Sequence, residues 1–383
     1  MARHYLDHAS TSQLRPEVAD ALRTWLSAPS GDPGRVHQEG RAVRIAVEEA
    51  REQVADLVAV RPRQVVFTSG GTEAIHAAVW GATRARPGSV VLCSGVEHSA
   101  VREASGRWAP VEEIAVDRLG RVDVNSVAEA LRHRAGEPPA LVHCQWANHE
   151  VGTVQPVSEV VALCREAGVP VHVDAAAACG QVPLDLTALG ADLVSLSAHK
   201  LGGPPGVGAL VVRRGLRIEP LIVGGQQERA RRAGMENSLG IVGFGAVARV
   251  LAADGLARLG AEERAARRLI ARVVEAATAV AGVAVVGDPG PGPGHRLPGL
   301  VCLGVDGVEA EPIVLGLDRA GVAVHSGSAC SSESLEPSPV LEAMGADANH
   351  SLRVSVGWST TDEDVTAFAR IFPRIVGELR SLR

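Results

Sequence analysis

The chain has almost no lysine: of its 38 Lys and Arg residues, Lys200 alone is lysine and the other 37 are arginine. Ordinary surface ion pairs and phosphate contacts are served as well or better by a guanidinium. A guanidinium does not give up its proton near neutral pH to attack a carbonyl and form a Schiff base. The retained ammonium therefore points to chemistry rather than to surface charge. Basic excess is missing too. A formal net charge of −6 argues against a nucleic-acid-binding surface. No uninterrupted apolar run reaches twenty residues, and the N-terminus lacks a charged-then-apolar leader pattern, so a soluble cytoplasmic protein is expected. Six cysteines occur without a C-x-x-C pair, which argues against a disulfide framework and against a cysteine-only zinc site, and no metal is expected.

What is present clusters around Lys200. Short apolar runs at 192–197 and 208–213 flank Ser197-Ala-His-Lys200 and a Gly/Pro-rich turn, so the lysine lies just past the end of a buried strand. A further strand pattern, Val169-Pro-Val-His-Val-Asp174, ends in a carboxylate. A lone Lys beside an acid at a strand end suits pyridoxal phosphate, the Lys as its imine and the Asp at its pyridinium nitrogen. From Val65 to Val212, strand patterns at 65–68, 90–93, 141–145, 169–174, 192–197 and 208–213 alternate with helical patterns at 72–83 and 157–167. Such alternation predicts an α/β fold, with a mostly parallel sheet covered by helices and a ligand at the carboxyl ends of its strands. Thr72, His98, Asp174 and Lys200 all fall there. An Ala/Arg/Glu-rich stretch at 241–281 predicts one long helix, followed by the joint Gly287-Asp-Pro-Gly-Pro-Gly-Pro-Gly294. Patterns at 283–286, 300–305, 312–320, 322–325, 352–356 and 363–379 predict a smaller α+β unit. Length and pattern together suggest two domains: residues 16–255 as the large one, 1–15 with 256–383 as the small one.

Cys93, Cys144 and Cys302 sit in apolar runs and read as inert core residues. Cys330 differs, lying in the small polar stretch Ser326-Gly-Ser-Ala-Cys-Ser-Ser-Glu-Ser334, where a cysteine is placed as a nucleophile must be. Ser69-Gly-Gly-Thr72 precedes a helix, and amides at such a start bind anions, phosphate among them. Glu228-Arg-Ala-Arg-Arg232 reads as a basic cluster on a solvated face or at an anion.

Tyr5-Leu-Asp-His-Ala-Ser-Thr11, Phe67-Thr-Ser-Gly-Gly-Thr-Glu-Ala74, Glu97-His-Ser-Ala-Val101, Asn148-His-Glu-Val-Gly-Thr153, Val173-Asp-Ala-Ala176, Ser197-Ala-His-Lys200, Gly327-Ser-Ala-Cys-Ser-Ser332 and Ser351-Leu-Arg-Val-Ser355 occur in this order. Together they make the chain similar to the cysteine desulfurases of the class V aminotransferase family, from residue 4 to about 375. The resemblance implies a fold-type I pyridoxal phosphate transferase with a seven-stranded-type sheet, a homodimer with sites near the subunit interface, and packing of the N-terminal segment on the small domain. It implies that Gly71, Thr72, Ser197 and His199 hold the cofactor phosphate, that His98 stacks on the ring and moves protons, and that Asp174 meets the ring nitrogen. Lys200 would carry the imine and remove the α-proton. Arg353 would take the carboxylate of L-cysteine, and Cys330 would accept its sulfur as a persulfide for a sulfur-acceptor protein. Departures gather at the cofactor: Ala177 where the family has Gln, His149 where it has Asn, Met235 where it has Thr, and Trp358 where it has Arg. His149 is expected to replace the missing amide at the cofactor's phenolic oxygen and to border the substrate. Two other readings stay compatible with the residues: a pyridoxal phosphate C–S or C–Se lyase or epimerase that does not use Cys330, and a partner-binding paralogue of low turnover.

Overall fold

A computed structural model describes residues 3–27, 31–327 and 337–382. Its centre is a seven-stranded sheet. In spatial order the strands are Val65–Thr68, Gly208–Val212, Leu193–Ser197, Val171–Asp174, Leu141–His143, Val91–Ser94 and Val111–Ile114. Gly208–Val212 is antiparallel to both its neighbours, and every other pairing is parallel. Six strands therefore run one way, so Thr68, Ser94, His143, Asp174 and Ser197 all end at the same edge. Six strands, all but Val111–Ile114, are buried at every residue, as Val/Leu-rich runs covered on both faces must be.

Two apolar layers enclose the sheet. One packs Phe67, Leu92, Val142, Val173 and Leu196 against Val47, Val54, Phe244 and Val247 of the helices Gln38–Leu57 and Ser238–Thr278. The other packs Val66, Val91, Leu141, Leu193 and Leu210 against Ile75, Val79 and Val101 of the helices Gly71–Ala85 and Ser99–Trp108. A separate core gathers Leu6, Val273, Leu303, Ile313, Val354, Phe368 and Phe372. It surrounds a four-stranded sheet ordered His325–Ser326, Ser351–Ser355, Leu300–Val305 and Val283–Val286. His4–Tyr5 pairs in parallel with Val322–Ala323, which ties the N-terminal segment to this second core.

Three sequence expectations need correction. The long helix Ser238–Thr278 is two helices, because Ala253 to Leu256 leave helical geometry and Asp254, Gly255 and Leu256 take positive φ. Taken as one element, Ser238–Thr278 is long and apolar enough, by length and composition only, to cross a membrane, but half of its most apolar window is buried, and Phe244, Val247 and Leu251 lie in the core. The run at 322–325 is not one strand: 322–323 joins the N-terminal strand, whereas 325–326 joins the Arg353 strand. The cluster 228–232 is only in part a solvated face: Arg229 is exposed and pairs with Glu48 at 2.9 Å, but the acid of the cluster points inward. Glu228 is buried and accepts from Arg51 Nη1 (2.6 Å), Arg51 Nη2 (2.8 Å) and the Phe67 amide (2.9 Å). Arg232 pairs with Glu73 at 2.9 Å.

Candidate active site

The common strand edge assembles most of the expected residues. Asp174 ends its strand nine-tenths buried. Its Oδ1 accepts from the Ser195 hydroxyl at 2.9 Å and from the Ala176 amide at 3.0 Å. Both bonds fall on one oxygen, which fixes the carboxylate and leaves Oδ2 to another partner. Ser195 and Ser197 alternate on the neighbouring strand and so share the Asp174 face. Sequence reasoning found Ser197 through its motif but passed over Ser195, although the period of two was there to read.

Beyond Ser197 the chain turns into the short 3-10 helix Ala198–Leu201, closed by Gly202 at φ 86°. A Cβ at Gly202 would fall within 3 Å of Gln13 O, Arg15 Cγ and Trp358 Nε1, so only glycine fits. The turn presents Lys200, whose Nζ donates to the carbonyl oxygens of Ala9 and Ser10, the latter at 2.9 Å. His199 Nδ1 lies 3.1 Å from Thr11 Oγ1, and burial, helped by the charge of Lys200, lowers the His199 pKa to about 4. His199 is therefore a neutral imidazole at physiological pH.

The helix Gly71–Ala85 starts against this turn. A Cβ on Gly71 would lie 3.5 Å from Ser197 Cβ and 3.8 Å from Ala176 Cβ. One on Gly208 would overlap the backbone carbon of Gly70 at 2.6 Å. Glycines thus let the helix start lie directly on the sheet edge. The amides of Gly71, Thr72 and Glu73 have no intrahelical acceptor, and they carry the positive end of the helix dipole. Glu73 is the one acid in that turn. Its carboxylate is neutralised by Arg232 and also accepts the Ser69 amide at 2.8 Å.

His98 caps the helix Ser99–Trp108: Nδ1 accepts the Ala100 amide at 3.0 Å, which leaves the proton of the neutral ring on Nε2. The His149 ring lies 4.8 Å from it, centroid to centroid, inclined at 56°. His149 is buried, and its Nε2 is 3.5 Å from Glu150 Oε1. Asn148 beside it is wholly internal, donating to Val96 O and accepting from the amides of Glu150 and Val151.

Arg353 is only 2 % exposed. Nη2 donates to Asp7 Oδ1 (3.0 Å) and to Ser10 Oγ (2.6 Å), Nη1 to His149 O (3.1 Å). The expected substrate guanidinium is therefore part of an internal network, and a ligand carboxylate would have to share it with Asp7. Asp7 and Ser10 were missed as site residues, although both stand in the Tyr5–Thr11 motif. Cys330 lies outside the described residues. Of the other cysteines, Cys93, Cys144, Cys164, Cys179 and Cys302 are all free and buried. Burial pushes the Cys302 thiol up to about 12 and those of Cys93 and Cys144 well above the ordinary range, so these are inert.

This donor set suits pyridoxal phosphate. It offers an anion cradle at 70–72 with Ser197, a fixed carboxylate with one oxygen to spare, an imidazole platform and a single amine. Comparison with known proteins gives the family. The family model described as aminotransferase class-V matches residues 4–368. A cysteine desulfurase of Cereibacter sphaeroides is 40% identical over 394 residues, covering 100% of this chain and 98% of the relative. A solved NifS-like protein from Rickettsia africae is 26% identical with a TM-score of 0.87, over 98% of this chain and 99% of the other. The solved structure of SspA in complex with cysteine is 25% identical with a TM-score of 0.79, over 92% and 99%.

Proposed function

The chain belongs to the aminotransferase class-V family, and we propose that it is a pyridoxal phosphate-dependent cysteine desulfurase. It takes L-cysteine to alanine and passes the sulfur, held as a persulfide on Cys330, to an acceptor. The observation that supports this most is the convergence of Gly71, His98, Asp174, Ser197 and Lys200 at one strand edge, beside Arg353.

When bound, pyridoxal phosphate supplies a ring that withdraws the electron pair left at the substrate Cα. The amides of Gly71 and Thr72, with Ser197 and His199, would hold its phosphate, and a neutral His199 could donate there without adding a second cation beside Lys200. Asp174 Oδ2 would hold the ring nitrogen, with the carboxylate kept in place by the Ser195 and Ala176 bonds to Oδ1. His98 would offer its ring face to the cofactor and its Nε2 proton to the reacting groups. Lys200, the one lysine of the chain, would hold the cofactor through Nζ, and that amine would move the substrate Cα proton and return it to the carbon skeleton. Arg353 binds the substrate carboxylate, and Asp7 and Ser10 hold its guanidinium plane. The Cys330 thiolate attacks the substrate sulfur: the Cβ–S bond breaks, the S–S bond of the persulfide forms, and Cβ gains a proton to give alanine.

The two-domain division at 255/256 is part of this reading, supported by the helix break at 253–256. A homodimer is supported by the exposed Val223 and Met235 flanking Arg232 beside the cradle. A cytoplasmic location is supported by five unpaired, buried cysteines. Borohydride reduction tests the assignment. It should fix pyridoxal phosphate to one peptide containing Lys200, and a protein that binds no pyridoxal phosphate would refute it.

A further inference from the structure

The motif that supplies His98 also buries an acid to which the reading above gives no task. Glu97 is 1% exposed. Its Oε1 accepts one hydrogen bond, from the Gln145 amide at 2.6 Å, and its Oε2 is buried with no partner. No cation lies within ion-pair distance of it among the described residues. A carboxylate buried on these terms is disfavoured, because nothing repays its lost hydration. The charged and titratable groups facing it are Asp174 from its strand, His149 from the turn after 145, Arg102 from the helix Ser99–Trp108, and the thiols of Cys93 and Cys144. After burial, Asp174 acts most strongly and favours the uncharged acid; the Gln145 hydrogen bond, then His149 and Arg102, oppose it more weakly.

The Gln145 amide that Glu97 accepts begins the turn carrying Asn148 and His149. That turn is braced on the same backbone: Gln145 Nε2 donates to Val96 O at 2.7 Å, and Asn148 Nδ2 donates to Val96 O at 3.0 Å. The segment 96–98 and the turn 145–149 are therefore stitched together immediately behind the His98 and His149 rings. From this geometry we propose that Glu97 is a positioning residue working as an uncharged acid, which fixes the two imidazoles through the Gln145 amide and keeps a second negative charge away from Asp174. Its significance for the cofactor rests on the functional reading above; its protonation state does not.

Burial, then the charge of Asp174, raises the Glu97 pKa to about 8. The sign follows directly. An acid whose folded pKa lies above its unfolded value stabilises the fold fully only below that unfolded value, about 4.5. The contribution is lost as pH rises through about 8. Ionisation above pH 8 would put a second negative charge beside Asp174 and loosen the turn.

Glu97→Gln keeps the shape and the acceptor and removes the titration. In the full-length apoprotein, urea unfolding should show the folding constant of wild type falling relative to Glu97→Gln as pH rises from 4.5 to 8. The fall should approach tenfold per pH unit at most, then level off. Glu97→Met, uncharged and of similar length, should show the same flattening and serves if the glutamine variant does not fold. In the protein loaded with pyridoxal phosphate, visible circular dichroism should match between wild type and Glu97→Gln at pH 7. It should change above pH 8 in wild type only, and Glu97→Ala should have lost it at pH 7. Identical pH profiles for wild type and both uncharged variants would overturn the proposal. So would a Glu97→Gln dichroism at pH 7 resembling that of Glu97→Ala. Failure of all forms to bind pyridoxal phosphate would refute the functional reading and leave the apoprotein titration to decide the state of Glu97.

Discussion

Replacing Glu228 by Gln tests whether the anion cradle is held from below by a buried ion pair. Glu228 and Arg51 have side chains 1% and 3% exposed, and two hydrogen bonds of 2.6 and 2.8 Å join them. A third bond, from the Phe67 amide at 2.9 Å, anchors the strand that runs into Ser69, Gly70 and Gly71. Glu228 also takes a left-handed backbone at φ 48°, so the contact is strong enough to hold a costly conformation. Gln offers one acceptor oxygen where the carboxylate offers two, and it leaves the Arg51 charge buried. Breaking one side of such a pair costs roughly 3–5 kcal/mol. Glu48, 3.1 Å from Arg51 Nε and half exposed, recovers part of this. The expected loss is therefore about 3 kcal/mol, on the order of 100-fold in the folding constant. Urea unfolding of the apoprotein should show it as a lower midpoint at unchanged slope, and pyridoxal phosphate should leave the loaded variant faster. Adding Arg51→Met should recover part of the loss, since the orphaned charge goes with it. A loss below about 1 kcal/mol, or a double variant as unstable as the sum of the singles, would refute the reasoning.

Ser195→Ala removes a hydroxyl bonded to the Asp174 carboxylate and should weaken pyridoxal phosphate retention by about tenfold, measured by equilibrium dialysis. Arg353→Lys loses the fork that meets Asp7, Ser10 and His149 O. It should raise the KM for cysteine by about 10- to 100-fold while pyridoxal phosphate loading stays intact, as steady-state alanine formation would show. Burial lowers His8, His172 and His199 to about 4. Their stabilising contribution is present above the ordinary histidine pKa and is lost as pH falls through about 4, so thermal unfolding midpoints should drop steeply between pH 6.5 and 4. His172→Asn should make that drop shallower.

The residues that announced themselves in the sequence did so through local pattern. Lys200 and Asp174 end apolar strand runs, and a parallel sheet delivers strand ends to one edge whatever lies between them. Glycines at 70 and 71 before a helical period marked the cradle for the same local reason. What stayed hidden depends on distant chain or on a masked period. The strand Val111–Ile114 is a sheet edge carrying Glu112 and Glu113, so its sequence reads as loop. Glu228 sits in a basic stretch, and its meaning comes from Arg51, far away in the chain. Arg353 was found by motif, yet its partner Asp7 lies near the other end of the chain and is brought to it through the second core. The break at 253–256 falls inside an Ala/Arg/Glu-rich run, where only Asp254-Gly255 hinted at it.

The central claim is that this site moves sulfur from cysteine onto Cys330. Incubating the loaded enzyme with L-cysteine, without acceptor or reductant, and then taking intact and peptide mass spectra tests it most directly. The account predicts alanine formed in step with one added sulfur atom on the peptide containing Cys330, and neither the added sulfur nor sulfur transfer to an acceptor in Cys330→Ser. Sulfide released at an undiminished rate by Cys330→Ser, with no added sulfur in the wild type, would contradict it.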